Sequence, residues 1–477
     1  MLIITRGIKS RYLISVICNM IQSIQEFNRP FFIGVAGVGM SALAQYLRGV
    51  GKQVSGSDRF FAPGQYNETQ EKLEEAGIRC FLQNGEGITD ATDLVVVSTA
   101  IEDTVPEVQL AKQMNIPIIR RSELLALIAA SKKTIAVGGT SGKSTTSAML
   151  FDILAAAGLA PSIISGAGLT SIIRQGKIGN AQVGNGDWLV IEADESDGSI
   201  VQYKPETGVL LNIDKDHQEI EELQFLFTQF RDNSSYFITN RSHLLTAPLS
   251  VQAANDFATT GNTGAGYEAT DFVQQGMQIS FKVNGVLFQM QLLGRHNMEN
   301  AVAAVAAAAY AGVSLETAAK ALAAYEGIYR RHQVLGQKKG VWLVDDYGHN
   351  PVKCAAAIAA CQPVAPKVIA WFQPHGFKPT KFLRDDFVKE IGAVLRPQDE
   401  IWMSEIYYAG GTAVKDISAG DLIGDLRRNG KNAFFVADRN QFLEQVRPHL
   451  SDNCVLLLMA ARDPSLAAFA QQVWENL

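Results

Sequence analysis

The sequence predicts an α/β protein with three domains, because the chain restarts the same local pattern three times. Each restart is an apolar strand whose end is rich in glycine or in carboxylates, and a helical stretch follows it. The restarts lie at residues 31–39, 134–144 and 341–346. Alternating strands and helices predict parallel sheets covered by helices, with ligands at the carboxyl ends of the strands. A chain of 477 residues also exceeds what one hydrophobic core usually organises.

The first restart carries a glycine turn made by Gly34, Gly37 and Gly39. A helix is expected at residues 41–49, and a second strand is expected to end at Asp58. The turn reads G-x-x-G-x-G, so it only partly matches the dinucleotide fingerprint G-x-G-x-x-G. Asp58 nearly meets the position of a ribose-binding acid, which makes an NAD-dependent oxidoreductase one alternative. That alternative leaves the glycine turn of the second restart unexplained.

The second restart contains the strongest motif, Gly139-Thr140-Ser141-Gly142-Lys143-Ser144, between a strand and a helix. Backbone amides and the helix dipole at such a turn favour bound phosphate. In a P-loop, Lys143 would reach the β- and γ-phosphates, and the Ser144 hydroxyl would bind Mg²⁺. A strict P-loop has glycine where this chain has Val137, so the motif is a variant.

Two polar clusters follow strands in the same region. Glu192 opens a run of four carboxylates at residues 192–197, and His217 closes a cluster at residues 214–217 after a strand at 208–213. If the two strands are neighbours in a parallel sheet, both clusters lie at one edge. A hard divalent cation explains this crowding better than a solvated acidic loop, and His217 is a further candidate ligand.

The region from the second restart to the third contains a run of almost pure valine and alanine at residues 301–309. High helix propensity and small side chains predict a buried structural helix there. The third restart then delivers Asp345 and Asp346 to the carboxyl end of a strand, where ligands bind in open α/β sheets.

The composition excludes several classes of partner. Hydrophobic residues make up 47% of the chain and charged residues 19%, which is enough apolar material for buried cores. A net charge of −6 without basic clusters argues against nucleic acid. Five cysteines without CxxC spacing indicate neither a zinc site nor disulfides, so a cytoplasmic location is expected.

The first 28 residues superficially copy a signal peptide, because Arg6, Lys9 and Arg11 precede an apolar run at residues 12–21. No A-x-A cleavage site follows that run. It is also too short to span a bilayer, which takes about 20 apolar residues. We expect an appended segment or an upstream start codon, and no membrane partner.

Taken together, these motifs resemble the Mur ligases, and within that family the enzymes that add L-alanine to UDP-N-acetylmuramate. The resemblance runs from about Phe31 to near the C-terminus. Besides the two glycine turns, it covers the segments at residues 192–197, 212–217, 294–301, 329–333, 345–351 and 372–375. So many motifs in the family's order make a chance resemblance improbable.

The resemblance implies an α/β fold of three domains and an ATP- and Mg²⁺-dependent ligase. The implied parts are an N-terminal extension (1–28), a Rossmann-like UDP-sugar-binding domain (29–125), a central P-loop ATPase domain (126–326) and a Rossmann-like amino-acid-binding domain (327–477). The implied reaction joins UDP-N-acetylmuramate to an amino acid through an acyl-phosphate, in peptidoglycan precursor synthesis. Closure of such domains would exclude water from the acyl-phosphate.

The resemblance also implies roles for individual residues. The ATP-binding set is Gly139, Thr140, Gly142, Lys143, Ser144, Asn297, Asn300, Arg331 and Asp346, with the two asparagines near adenine, Arg331 on the γ-phosphate and Asp346 on the ribose. The UDP-sugar-binding set is Gly37, Gly39, Met40, Ser41 and Asp58, and the metal set is Ser144, Glu192 and His217. Lys143 and Arg331 would also serve catalysis. His349 or His375 would assist proton removal or position the amine, although packing roles are equally open.

The departures from the family pattern concern the incoming amine. Asn350 stands where the pattern has a second histidine, and Gly376 and Pro379 stand where it has arginines. Lys378 and Lys381 are the nearby cations, and an ammonium does not reproduce the bidentate grip of a guanidinium on a carboxylate. We therefore expect weakened selectivity for free L-alanine. A ligase that recycles whole murein peptides is one alternative, and a non-enzymatic nucleotide-binding protein is another.

Overall fold

The computed structural model describes residues 21–215, 218–408 and 414–477, and it builds them on four sheets. We call the first sheet with its helices the first module, the next two sheets with theirs the central module, and the last sheet with its helices the third module. No helix in these described ranges is long and apolar enough to cross a membrane.

The first module is a parallel sheet of five strands in the order β3-β2-β1-β4-β5. Its elements are β1 (Pro30–Ile33), α1 (Val38–Gly49), β2 (Ser55–Asp58), α2 (Glu68–Glu75), β3 (Arg79–Leu82), β4 (Leu94–Val97), α3 (Pro106–Gln113), β5 (Ile118–Arg120) and α4 (Arg121–Ala130). Strand β1 is fully buried, with Phe31 and Phe32 in apolar clusters on opposite faces, as the alternation of side chains along a strand requires. Ile24 and Phe27 also pack in this core, so the segment just before residue 28 is part of the fold.

The central module begins with a six-stranded sheet in the order β11-β10-β6-β9-β7-β8. Its elements are β6 (Lys133–Gly138), α5 (Lys143–Ala156), β7 (Ser162–Ile164), α6 (Thr170–Ile173), β8 (Ala181–Gln182), β9 (Trp188–Glu192), β10 (Thr207–Leu210), α7 (Ile220–Asn233) and β11 (Tyr236–Thr239). All pairs are parallel except that of the edge strand β8.

Strands β9 and β10 precede the two polar clusters. These two strands are not neighbours in the sheet, although the prediction had required it. Strand β6 lies between them and pairs with both. Since the P-loop follows β6, the ends of β9 and β10 flank that loop from opposite sides. Strand β10 also ends at Leu210, three residues earlier than the sequence suggested.

A four-stranded sheet in the order β12-β13-β14-β15 completes the central module, and the sequence analysis did not anticipate it. Its elements and the helices after it are β12 (Phe257–Ala258), β13 (Tyr267–Gln275), β14 (Gln278–Val283), β15 (Val286–Met290), α8 (Arg295–Tyr310) and α9 (Leu315–Ala323). Ile279, Phe281 and Val283 alternate into the core, which is the period-two signal of a one-sided strand. The predicted buried helix is confirmed, because residues 301–308 of α8 are at most 2% exposed.

The third module is a six-stranded sheet in the order β16-β17-β21-β18-β19-β20, parallel except for β16. Its elements are β16 (Gln333–Lys338), β17 (Val341–Asp346), α10 (Pro351–Cys361), β18 (Lys367–Gln373), α11 (Phe377–Phe382), α12 (Arg384–Val394), β19 (Glu400–Met403), α13 (Ala419–Arg428), β20 (Ala433–Phe435), α14 (Phe442–Val446), β21 (Cys454–Ala460) and α15 (Leu466–Asn476). Every residue of β21 is buried, because helices cover both faces of this sheet.

Short 3₁₀ helices occur in all three modules. They are Ile24–Glu26, Ser199–Gln202, Ala247–Leu249, Ala253–Asn255, Arg439–Gln441 and Arg447–His449.

The first and central modules share one apolar core. Phe32 of β1, Leu124 of α4 and Ala136 of β6 belong to the same buried cluster. The expected boundary at residues 125/126 falls inside α4. Asn180 adds a polar contact between the modules, since its side-chain amide donates to Val38 O at 2.8 Å.

Candidate active site

The P-loop turns sharply because two of its glycines adopt positive φ. Gly139 has φ +134° and Gly142 has φ +88°, where residues with a Cβ are disfavoured. A Cβ on Gly142 would also lie 2.3 Å from Asn300 Oδ1. Glycine is therefore required here for both conformation and close approach, and α5 begins at the next residue, Lys143.

Asn212, beyond the end of β10, holds the P-loop in place. Its Oδ1 accepts from the Thr140 hydroxyl at 2.9 Å and from the Ser141 amide at 2.8 Å, and its Nδ2 donates to Ser141 O at 3.1 Å. Asn212 is the first residue of the 212–217 segment, and the sequence predicted no role for it. The signal was available in principle, because a polar residue after a strand beside the P-loop strand lies at the ligand edge of the sheet.

Lys143 points back over its own loop into the acidic cluster. Its Nζ donates to Gly139 O at 2.7 Å and to Glu195 Oε2 at 2.8 Å. Burial lowers the pKa of Lys143, but the carboxylates of Glu195 and Asp194 outweigh it and raise the pKa above the ordinary value. The side chain is therefore an ammonium at neutral pH. An ammonium has three donors, so one remains for a ligand oxygen.

Ser144 and Glu192 bring oxygen donors together on the other side of the loop. The Ser144 hydroxyl donates to Glu192 Oε2 at 2.8 Å, while Glu192 Oε1 accepts from the Ser165 hydroxyl at 2.8 Å and the Gly166 amide at 2.5 Å. A hydroxyl and a carboxylate are the donors that Mg²⁺ prefers, so this pair fits the expected metal. Within the described residues, no group of three or more His, Cys, Asp or Glu side chains has metal-binding geometry. His217 lies outside the described residues.

A cavity of about 290 Å³ opens beside the P-loop and is bounded by both the central and the third module. Among the residues predicted to bind ATP, those that line it are Gly142, Asn297, Asn300, Arg331 and Asp346. Lys143, Ser144 and Glu192 do not line it. The structure thus brings together residues that are more than 200 positions apart in the chain.

The two asparagines in this cavity are held by contacts along α8, with the segment just before it, and with α5, whose Thr146 hydroxyl donates to Asn300 Oδ1 at 3.3 Å. Asn297 Nδ2 donates to Leu293 O at 2.7 Å, and Asn300 Nδ2 lies 3.3 Å from Asn297 Oδ1. His296, next to them, is half-buried at the wall of the same cavity, and desolvation together with His332 lowers its pKa to about 3. His296 is therefore uncharged at neutral pH.

Asp346 is buried at the wall of this cavity and is already hydrogen-bonded. Its Oδ1 accepts from the Gly348 amide at 2.7 Å and its Oδ2 from the His332 amide at 2.8 Å. Burial raises the pKa of Asp346, but His332 and Arg331 outweigh it and hold the pKa below its usual range. The carboxylate is ionised and oriented by its backbone partners.

Arg330 and Arg331, at the junction with the third module, make different contacts. Arg330 is buried and forks onto Asp345, with Nε 2.8 Å from Oδ2 and Nη2 3.2 Å from Oδ1. Arg331 is half-buried, lies 4.9 Å from the centre of the Tyr347 ring and lines the cavity. Arg330 therefore fixes the junction, while the guanidinium of Arg331 faces the space that a ligand would occupy.

The two candidate catalytic histidines meet at a second cavity, of about 540 Å³, in the third module. The ring centres of His349 and His375 are 5.8 Å apart. Burial and the nearby Lys353 lower the pKa of His349 to about 4, so it is neutral at pH 7. Its Nδ1 lies 3.0 Å from Tyr347 O; a carbonyl only accepts, so Nδ1 carries the proton and Nε2 is an acceptor.

The residues predicted to bind the UDP-sugar differ from one another in exposure. Gly37 precedes α1 and is exposed, and Gly39 packs against Arg121. Met40 and Ser41 are at most 3% exposed, and Asn180 Nδ2 donates to the Ser41 hydroxyl at 2.9 Å.

Asp58 is buried and fastens the glycine turn of the first module. It accepts from the Ala36 and Phe60 amides, both at 3.0 Å. Arg121 was missed by sequence reasoning; it lies between Gly39 and Asp197, whose Oδ2 is 3.5 Å from Nη2. Arg121 is the first residue of α4, after the edge strand β5, and no local sequence motif marks that position.

Comparison with known proteins finds matches along most of the chain. The description "Mur ligase family, catalytic domain" matches residues 31–133, "Mur ligase middle domain" matches 137–308, and "Mur ligase, glutamate ligase domain" matches 330–462. A UDP-N-acetylmuramate--L-alanine ligase of Geotalea daltonii is 34% identical over 91% of this chain and 95% of its own. A protein of the same name from Aquifex aeolicus is 35% identical over 92% of this chain and 95% of its own.

Solved structures share the fold. The UDP-N-acetylmuramate-alanine ligase of Thermotoga maritima superposes with a TM-score of 0.76 at 24% identity, over 94% of this chain and 98% of that one. A murein peptide ligase of Psychrobacter arcticus gives a TM-score of 0.64 at 21% identity, with the same coverage of both chains.

Proposed function

This chain belongs to the Mur ligase family, and from that premise we propose that it joins UDP-N-acetylmuramate to L-alanine with hydrolysis of ATP to ADP and phosphate. The names of its relatives support this substrate pair. The single observation that carries the proposal is the cavity that combines the P-loop, the α8 asparagines and Arg331. It unites a phosphate-binding turn with a cation from the next module. The reaction belongs to peptidoglycan precursor synthesis.

The three modules would divide the substrates among them. We assign the UDP-sugar to the first module, ATP to the central module and the amino acid to the third module. The small-molecule substrates and the absence of a membrane-spanning helix among the described residues agree with a cytoplasmic enzyme, which we include in the proposal.

The first chemical step activates the carboxylate of the UDP-sugar. A carboxylate oxygen attacks the γ-phosphorus of ATP, ADP leaves, and an acyl-phosphate forms. The step brings anions together, so the Lys143 ammonium and the Arg331 guanidinium would stabilise the charge that develops on the transferred group. Ser144 and Glu192 would hold Mg²⁺, which would neutralise phosphate charge, and His217 is proposed as a further ligand.

The second step forms the amide. The neutral amine attacks the acyl carbon, phosphate leaves, and the departing phosphate takes up the proton that the nitrogen loses. His349 Nε2 is a hydrogen-bond acceptor next to His375, so it would orient the amine lone pair toward the acyl carbon. The segment from Asp346 to Asn350 separates the two cavities, since Gly348 lines the first and His349 lines the second.

The proposal is tested by the products formed from ATP, Mg²⁺, UDP-N-acetylmuramate and single amines. We expect UDP-N-acetylmuramoyl-L-alanine by mass spectrometry, with one phosphate released for each amide. A murein tripeptide in place of L-alanine tests the recycling alternative, and NADH titration tests the oxidoreductase alternative. Efficient use of the tripeptide alone, or tight NADH binding without ligation, would refute the proposal.

The control variant for this assay is Lys143→Ala, which removes the cation that we propose to contact phosphate and should abolish ligation. The substitution also leaves Glu195 buried without its ion-pair partner. The double variant Lys143→Ala/Glu195→Gln should therefore recover thermal stability but not turnover. Ligation by either folded variant at the wild-type rate would remove the P-loop from the mechanism.

A further inference from the structure

The second cavity, between His349 and His375, contains a cation that the motifs did not indicate. The inference rests on the proposed function, because it concerns how the incoming amino acid is recognised. An amino acid whose amine attacks the acyl-phosphate presents its carboxylate to the same cavity. A carboxylate that leaves water needs a charged partner, and a guanidinium binds it through two parallel hydrogen bonds.

The topology of the third sheet places Arg462 at the wall of this cavity. Strand β21 lies between β17 and β18 and runs parallel to both, so the three carboxyl ends share one edge. His349 follows β17 by three residues, His375 follows β18 by two, and Arg462 follows β21 by two. All three line the cavity. Arg462 therefore leaves the sheet between the two histidines.

The backbone at Arg462 is held in a conformation that is unfavourable for a residue with a Cβ. Its φ is +67°, in the left-handed region. The Asp463 amide donates to Ala461 O at 2.9 Å, and the Asp463 carboxylate accepts from the Ser465 amide at 2.9 Å and from Arg439 Nη1 at 2.5 Å. These bonds fix the turn, so the fold sets the direction in which the arginine leaves it. Strain that the surroundings maintain is typical of functional sites.

The guanidinium of Arg462 is available, whereas Lys381 and Arg439 are engaged with carboxylates. Lys381 forms an ion pair with Asp416 and does not line the cavity. Arg439 is committed to Asp463 and Gln373. Within the described residues, the exposed Arg462 has no hydrogen-bond or ion-pair partner. Lys378 also lines the cavity, but its ammonium is a point charge on a flexible stem.

We propose that Arg462 binds the carboxylate of the incoming amino acid and so selects an α-amino acid as the acceptor. It would supply from the end of β21 the guanidinium that is absent at Gly376 and Pro379. The L-alanine selectivity that the sequence analysis expected to be weakened is then retained through a different strand.

The decisive variant is Arg462→Gly, because glycine accepts the positive φ and removes only the side chain. We expect the KM for L-alanine to rise about 10- to 100-fold, which is the loss of a charge-assisted contact. The KM values for ATP and UDP-N-acetylmuramate should stay unchanged, and the thermal midpoint should be equal or higher. Arg462→Lys should recover part of the affinity, and Lys378→Ala should have a smaller effect than Arg462→Gly.

A second readout separates carboxylate recognition from a structural role. The wild-type enzyme should prefer L-alanine to L-alaninamide, and Arg462→Gly should reduce that preference at least tenfold. An unchanged preference, an unchanged KM for L-alanine, or a larger effect of Lys378→Ala would overturn the inference alone. A wild-type chain that ligates no amino acid would overturn the proposed function together with it.

Discussion

At the scale of single residues, the nucleotide site depends on positions where one atom decides the fit. Gly142 has no Cβ, and this lets Asn300 approach the loop closely.

Asp152, on α5, is an ionisable side chain whose surroundings disfavour its charge. Burial, with the negative charge of Glu326, raises the pKa of Asp152 from 3.8 to about 7.

Substitution Gly142→Ala should destabilise the fold more than backbone strain alone does. Positive φ costs an L-residue roughly 1 kcal/mol, and the clash with Asn300 adds to it. Gly158→Ala is the matched control, since Gly158 has φ +76° and a Cβ added there would meet nothing within 4 Å. Urea unfolding should give a larger loss of unfolding free energy for Gly142→Ala. Equal losses would show that the contact with Asn300 relaxes freely.

Substitution Asp152→Asn should stabilise the protein at alkaline pH. The folded-state pKa lies above the unfolded one, so folding binds a proton and wild-type stability falls as pH rises from about 4 to about 7. Asparagine removes that loss, on the order of 1–3 kcal/mol at pH 8, and changes little at pH 4. Thermal midpoints at both pH values measure it, with the exposed Asp90→Asn as control. An equal gain at both pH values would contradict the titration account.

At the scale of elements, three strand ends make the phosphate site. Strand β6 provides the P-loop, β9 ends at Glu192, and Asn212 follows β10. Because β6 pairs with both neighbours, the loop is supported from either side. The shape of the loop thus depends on three strands as well as on its own six residues.

Substitution Asn212→Ala should weaken nucleotide binding without unfolding the protein. It removes side-chain hydrogen bonds to Thr140 and Ser141, each worth about 0.5–1.5 kcal/mol, so the KM for ATP should rise about tenfold. Asn233→Ala removes a single bond to Val201 O in the same module and should leave that KM unchanged. If both variants keep the wild-type KM, the loop does not need this support.

At the scale of the whole molecule, the ligand cavities lie where modules or sheet edges meet. The linker before the third module is fastened to the central one, since Gly327 O accepts from the Thr170 amide at 3.1 Å and the Tyr329 amide donates to Gly168 O at 2.9 Å. Arg331 follows directly and lines the nucleotide cavity. A ligand in that cavity would therefore restrain the third module against the central one.

Binding of a non-hydrolysable ATP analogue with Mg²⁺ should protect the linker at residues 325–331 from hydrogen exchange. Local opening requires breaking the linker contacts, and a ligand bound across the junction makes that opening less favourable. Peptides from α2, in the first module, serve as the internal control and should not change. Saturating ligand with unchanged exchange in the linker would mean that the cavity does not couple the two modules.

The sequence by itself determined the parts of this protein whose chemistry is local. The glycine pattern at residues 139–144 predicts a phosphate turn, because positive φ and free amides are properties of a few consecutive residues. The alanine-rich stretch of α8 predicts a buried helix, because helix propensity is also a property of consecutive residues. The order of the motifs identified the family.

Only the tertiary structure decided which distant residues share a site. Placement of β6 between β9 and β10 depends on pairing between strands far apart in sequence, and no local pattern encodes that order. Arg462 stands outside every motif, yet the parallel register of β21 with β17 and β18 brings it between two histidines. Long-range pairing sets these positions, because the register of a strand is selected by the core that its sheet buries. That core forms only when strands that are far apart in the sequence have come together.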